Sequence, residues 1–166
     1  SLLHQFAVVQ HGDAIGEHDP GMQAANALRE KIARIGKTCT GPKVKALIVL
    51  DENAHAVAGR DNYLDDVLQA VGGENAIPGG QPYPSIDPEF LAELNPPVIF
   101  QLLPDSSPQV IGRARQVWAS MPTLRAVQDG RVYIFSNPLF LQPTQEVGEL
   151  AARFAKALNE ARTEDK

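Results

Sequence analysis

Cysteine is almost missing from this chain: Cys39 stands alone among 166 residues. No internal disulfide can form, and no C-x-x-C pair offers a zinc or thiol–disulfide site. Long apolar runs are missing too. The longest, Ala46 to Leu50, falls far short of the ~20 residues that a membrane-spanning helix requires. A basic excess is absent: 15 Lys and Arg stand against 20 Asp and Glu, for a net charge of −5. Neutralising nucleic-acid phosphates takes a basic face, so the balance argues against nucleic acid as a partner and against an extended anionic membrane surface. No signal sequence is legible. The opening "SLLHQFAVVQHGD" reads as text from within a longer protein rather than a natural start, so a missing leader carries no information.

Catalytic signatures are equally scarce. Ser106, Ser107, His55 and Asp105 could be written as a hydrolase triad, but no G-x-S-x-G elbow accompanies them. The double glycines Gly72-Gly73 and Gly79-Gly80 fit neither G-x-x-x-x-G-K-[ST] nor G-x-G-x-x-G. They also follow a helix rather than a strand, so they read as a helix stop and a turn, not a phosphate cradle. His4, His11 and His18 recur at a seven-residue spacing. On a helix that puts neighbours about 10 Å apart, too far to share one metal ion. His55 reads as a surface histidine, and no resident cofactor or metal is expected.

What is there is an ordinary globular composition, 43% hydrophobic, in a length suited to one domain or one lobe of something larger. "VKALIVL" (44–50), "PVIFQLL" (97–103) and "RVYIF" (131–135) read as strands. Between and after them lie helical patterns. Leu64, Val67, Leu68 and Val71 share one face, with Gly72 as the stop. Asp87-Pro88 and Ser107-Pro108 are cap-plus-proline starts. Trp118 shares a face with Ile111 and Ala114 and reads as core. Val147, Leu150, Ala151, Phe154 and Leu158 face inward on the last helix. Strand alternating with helix predicts an α/β lobe: a short parallel sheet flanked by helices in three layers. Ahead of it, Asp19-Pro20 opens a helix of about five turns striped by Met22, Ala25, Leu28, Ile32 and Ile35.

In open parallel sheets, ligands meet the loops at the carboxyl ends of the strands. Those loops are "DENAHAVAGRDN", "PDSS" and "SNPLFLQP". The Gly/Pro-rich "AVGGENAIPGGQPYPSIDPEF" (70–90) can reach the same rim. The rim carries Arg60, Tyr63, Tyr83, Asn137 and Phe140 and no nucleophile–base pair, the profile of a binding module rather than an enzyme.

Three stretches, "AVAGRDNYLDDVLQAVGGENAI", "PYPSIDPEFLAELNPPVIF" and "MPTLRAVQDGRVYIF", closely resemble the carboxyl-terminal lobe of a group of periplasmic binding proteins. The group serves ABC importers, has its two lobes joined by one long helix, and carries cobalamin, haem or ferric siderophores. Its members share a GGxN helix end, an aromatic–Pro–x–(Ser/Thr/Val) loop, a helix with an early Glu, and then Pro-x-x-Ile. The likeness runs from about Ile15 to Leu158.

The resemblance implies that Met22–Ile35 is the inter-lobe helix and that residues 1–14 are the tail of an absent amino-terminal lobe. The chain then divides into 1–40 (tail plus helix) and 41–166 (the lobe). It implies that Tyr83 lines the ligand cleft, with Asn137 and Leu141 where relatives place ligand contacts. Against this, Tyr83 could simply pack on its own lobe. The resemblance also implies that Glu89 docks on an arginine of the permease, although an acid in a first helical turn is favourable in its own right. Relatives often carry Pro-Arg at the start of the last helix; here Thr144-Gln145 stands there, which fits a ligand of low charge. The expected function is capture of a corrinoid, haem or ferric chelate for an ABC importer, in the periplasm or another extracytoplasmic setting, at the membrane only through the transporter. A single-lobe interaction module that has lost transport is the alternative, and a small hydrolase the remote one. The apolar segment Leu2–Val9 predicts self-association.

Overall fold

A computed structural model describes residues 20–165. The chain begins there with α1 (Pro20–Lys37), then β1 (Val44–Val49), β2 (Val57–Ala58), α2 (Tyr63–Ala70) and β3 (Gly73–Asn75). There follow α3 (Pro88–Leu94), β4 (Val98–Leu102), α4 (Pro108–Ala119), the short α5 (Arg125–Gln128) and β5 (Val132–Phe135). A 3-10 turn (Pro138–Leu141) leads into α6 (Val147–Glu164). Asp19, the three amino-terminal histidines and Leu2–Val9 lie outside the described residues.

The strands form one sheet in the order β2-β1-β4-β5, with β3 beside β1. The β1–β4 and β4–β5 pairs are parallel, as in Ile48 opposite Phe100 and Gln101 opposite Ile134. Two elements depart from expectation. The loop after β1 contains β2, which runs antiparallel to β1 (Ile48 opposite Ala58), and the expected helix stop contains β3, parallel to β1 (Val44 opposite Gly73). Both are stubs of two or three residues, too short to print a period of two in the sequence.

Successive strand side chains point to opposite faces, so each face of the sheet builds its own core. Ala46, Ile48, Val98, Phe100 and Leu102 pack with α1, α2 and α6. Leu47, Val49 and Ile99 pack on the other side with Leu91, Trp118, Leu124 and Ala126 of the α3–α5 layer. This is the expected three-layer lobe. The stripe of α1 (Ala25, Leu28 and Ile32) belongs to the first of these cores. Helix α6 lies against α1 at Gly148, where a Cβ would stand 3.1 Å from Leu28.

The caps follow the sequence. Asp87 Oδ1 accepts from Phe90 N at 2.8 Å, and Ser107 Oγ accepts from Val110 N at 3.4 Å. Gly72 sits at φ +85° after α2, a left-handed position that favours glycine. Inside the second core, buried Gln101 accepts from Trp118 Nε1 at 2.9 Å and donates to the Asp51 carbonyl at 2.7 Å. The β1 rim loop is thereby joined to α4.

Candidate functional site

The rim is built on the 78–86 loop, and this loop is not slack. It lies along the free edge of β2: Val57 N donates to Pro84 O at 3.2 Å, Gly59 N to Pro82 O at 2.7 Å, and Ile86 N to His55 O at 2.8 Å. Ala56 and Ser85 form an antiparallel bridge. Gly59 permits the approach, because a Cβ there would stand 2.5 Å from the Gln81 carbonyl.

Two asparagines complete the tie. Asn62 caps α2 by accepting from Leu64 N and Asp65 N, while its Nδ2 donates to Gly59 O at 2.8 Å and Pro82 O at 3.0 Å. Asn75, of the GGxN stretch, donates from Nδ2 to the carbonyls of Ala58 and Gly59 and to Asp65 Oδ1, and accepts from Ile77 N. The Pro82-Tyr83-Pro84 backbone is held as an extra edge strand, and Tyr83 projects from it 52% exposed.

The second wall is the 3-10 turn after β5. Asn137 Oδ1 accepts from Leu139 N at 3.0 Å and starts the turn, and Thr144 Oγ1 donates to the Leu139 carbonyl at 3.3 Å. The turn sends Phe140 inward, where it is 1% exposed, and leaves Leu139 outward at 43%. The walls meet through Tyr63. Its hydroxyl donates to the Phe140 carbonyl at 2.8 Å, and its side chain is buried. Burial first, and then the nearby phenolate of Tyr83, push the Tyr63 hydroxyl far above the ordinary tyrosine range. Tyr83 is raised as well, by the partial burial of its ring.

The structure therefore brings Tyr83, Tyr63, Asn137 and Phe140 into one neighbourhood, in different roles. Tyr63 and Phe140 offer the rim almost no side-chain surface; they hold it up from below, because the turn geometry directs Phe140 into the core and Tyr63 Oη is spent on its carbonyl. Leu141 is half-buried against the same core. Arg60 is turned aside: its Nε donates to Ile77 O at 3.0 Å, and it lines a concavity with Gln69, Glu74 and Asn75 on the β3 flank. Glu89 is exposed in the first turn of α3, beside the rim loop, and makes no ion pair among the described residues.

Leu139 is the residue that sequence reasoning passed over. In "PLFL" three apolar side chains are indistinguishable by type; only the Asn137-Pro138 start of a tight turn hints that alternate ones face out. Among the described residues Tyr83 and Leu139 are the large hydrophobic side chains left exposed. Nearby charge is muted. The Arg153 guanidinium lies over the Phe135 and Phe140 rings, at 5.3 and 5.6 Å from their centroids. Thr144 and Gln145 are uncharged.

The serine and histidine of the written triad have other duties. Asp105 Oδ1 accepts from Ser107 N at 2.7 Å, Ser107 caps α4, and no hydrogen bond joins His55 to either serine among the described residues. Among those residues no group of His, Cys, Asp and Glu could hold a metal ion, and no helix is long and apolar enough to cross a membrane.

The chain belongs to the periplasmic binding protein family, whose pattern it matches over residues 6–139. The family is one of extracytoplasmic solute-binding proteins rather than enzymes. An ABC transporter substrate-binding protein from Listeria monocytogenes EGD-e shares the fold with a TM-score of 0.74 at 20% identity, over 84% of this chain and 57% of that one. The periplasmic vitamin B12 binding protein of Vibrio cholerae gives 0.74 at 20%, over 97% and 61%. A periplasmic heme binding protein from Pseudomonas aeruginosa gives 0.69 at 21%, over 83% and 52%. The chain thus spans 52 to 61% of the length of these relatives. No curated protein matches it.

Proposed function

We propose that this chain is the carboxyl-terminal, ligand-covering lobe of an extracytoplasmic solute-binding protein. It delivers a corrinoid, haem or iron chelate to an ABC importer. The observation that carries this reading is the pairing of Tyr83 and Leu139. Two large apolar side chains stand exposed on neighbouring rim loops, each on a backbone fixed by side-chain and main-chain hydrogen bonds. Exposed apolar surface on a rigid base suits a broad, weakly charged, ring-bearing ligand, because little conformational freedom is lost when it binds. Thr144-Gln145 and the engaged guanidinium of Arg153 support a ligand of low charge. Residues 1–40 are, on this reading, the tail of the other lobe and the helix joining the two.

The test is a visible-absorbance titration of the purified chain with cobalamin, haemin and ferric chelates. A spectral shift with one of them, reduced by Tyr83→Ala, supports the proposal. No shift with any of them, by this chain or by a protein that also contains an amino-terminal lobe, removes it. The permease contact belongs to the same reading. Exposed Glu89 meets an arginine of the membrane component, so Glu89→Ala lowers transport while ligand affinity stays unchanged. Unaltered transport in that variant reduces Glu89 to an acid that favours the positive end of its own helix.

A further inference from the structure

The opposite end of the sheet, where the parallel strands begin, holds a second feature. A concavity of about 520 Å³ opens there, and among the residues lining it are Lys43, Lys45, Arg125, Arg162 and Asp165. Four cations and one carboxylate converge on a chain whose net charge is −5. Asp165 is already shared: it accepts from Arg125 at 3.1 Å and from buried Arg131 at 3.4 Å. Lys43 and Lys45 are exposed and form no ion pair among the described residues.

Arg162 is the unusual member. It is only 8% exposed, yet its acceptors are all neutral: Pro42 O at 2.9 Å, Asn159 Oδ1 at 2.6 Å and Gly72 O at 2.7 Å. No carboxylate pairs with it among the described residues. A guanidinium carries five N–H groups, and each terminal nitrogen of Arg162 retains a hydrogen not used by these bonds. A buried cation without a counter-ion is costly, and an anion in the adjoining space relieves that cost. The amides of Thr40 and Gly41, in the linker that lines the same concavity, meet no protein acceptor among the described residues.

From this we infer that the concavity is an anion site for a compact phosphate-class dianion. Guanidinium forks and lysine ammoniums from several directions suit a tetrahedral oxyanion. The overall negative charge of the chain disfavours an extended anionic surface as the occupant, so the anion is a soluble one. The site lies at the far end of the sheet from the Tyr83–Leu139 rim, and its occupancy does not depend on the function proposed for that rim.

The experiment is a titration of an isotope-labelled sample with inorganic phosphate at constant ionic strength, with sodium chloride as the matched control. The amide resonances of Thr40, Gly41 and Gly72 should shift and saturate with a low-millimolar or tighter midpoint. The Lys43→Ala/Lys45→Ala variant, altered only at exposed and unpaired positions, should keep its fold and weaken the midpoint roughly tenfold or more. An equal response to chloride, an unchanged midpoint in the variant, or no saturable shift overturns the inference. So does binding to phosphatidylglycerol vesicles without binding of free phosphate, which would identify a lipid surface as the partner.

Discussion

Tyr63 and Tyr83 are twenty residues apart, share a neighbourhood, and do different things there. Tyr83 stands out from the rim, so Tyr83→Ala should leave stability within about 0.5 kcal/mol while removing an aromatic contact of roughly 1.5–3 kcal/mol, a tenfold or greater loss of ligand affinity. Urea unfolding and the absorbance titration separate the two effects. Tyr63→Phe should do the reverse. It leaves the buried Phe140 carbonyl without its donor and should cost about 1–3 kcal/mol of stability.

The same residue sets a pH dependence. Its hydroxyl is raised in the folded state, so the folded chain holds a proton that the unfolded chain releases above about pH 10. The stability it contributes is intact below that pH and is lost as pH climbs toward the raised folded value. An alkaline unfolding series should therefore fall more steeply for the natural chain than for Tyr63→Phe.

At this scale the sequence is informative where a residue type has one plausible use. Tyr83 between two prolines points to a fixed aromatic, and Asp87-Pro88 points to a cap. It is silent where the use depends on distant partners. Arg162 near a helix end looks like a solvated cation, and only the arrival of carbonyls 90 and 120 positions away buries it.

Among the elements, the rim loop shows how a stretch rich in glycine and proline can be stiff. Its hydrogen bonds run to β2, and the two asparagines lock the corner between them. Gly59→Ala should push the loop away, since the added carbon meets the Gln81 carbonyl. Its expected signature is faster hydrogen exchange at Val57 and Ile86 together with weaker ligand binding. Asn62→Ala should cost about 0.5–2 kcal/mol as a lost helix cap and also free Pro82, so its exchange pattern should resemble that of Gly59→Ala. Exchange confined to α2 would show that the tie to Pro82 contributes nothing.

The long elements were legible from their periodicity alone: Val147, Leu150, Ala151, Phe154 and Leu158 are all fully buried, as their spacing requires, although no side chain caps the start of α6. The short ones were not. β2 and β3 owe their existence to pairing with β1, a tertiary effect that leaves no local trace in two or three residues.

For the whole molecule, the covered length is the controlling fact. If ligand is held between two lobes, a chain of this span makes only part of the contacts. Because affinity is the surplus over the cost of association, most of the measurable binding should then depend on the second lobe. The chain alone should bind haemin or cobalamin at least a hundredfold more weakly than a protein that also contains an amino-terminal lobe. Tight binding by a strictly monomeric sample would show that one lobe is the complete working unit.

Helix α1 has a mechanical consequence. Its buried face shares a core with α2 and α6, Gly148 lets α6 nest against Leu28 and Lys31, and the 38–43 linker is clamped where Arg162 grips Pro42. Torque applied along α1 is therefore transmitted to the sheet without slack, as through a keyed shaft. On the proposed two-lobe reading, a cleft above the rim would open and close at a joint outside this body, with the lobe moving as a stiff paddle and α1 as its handle.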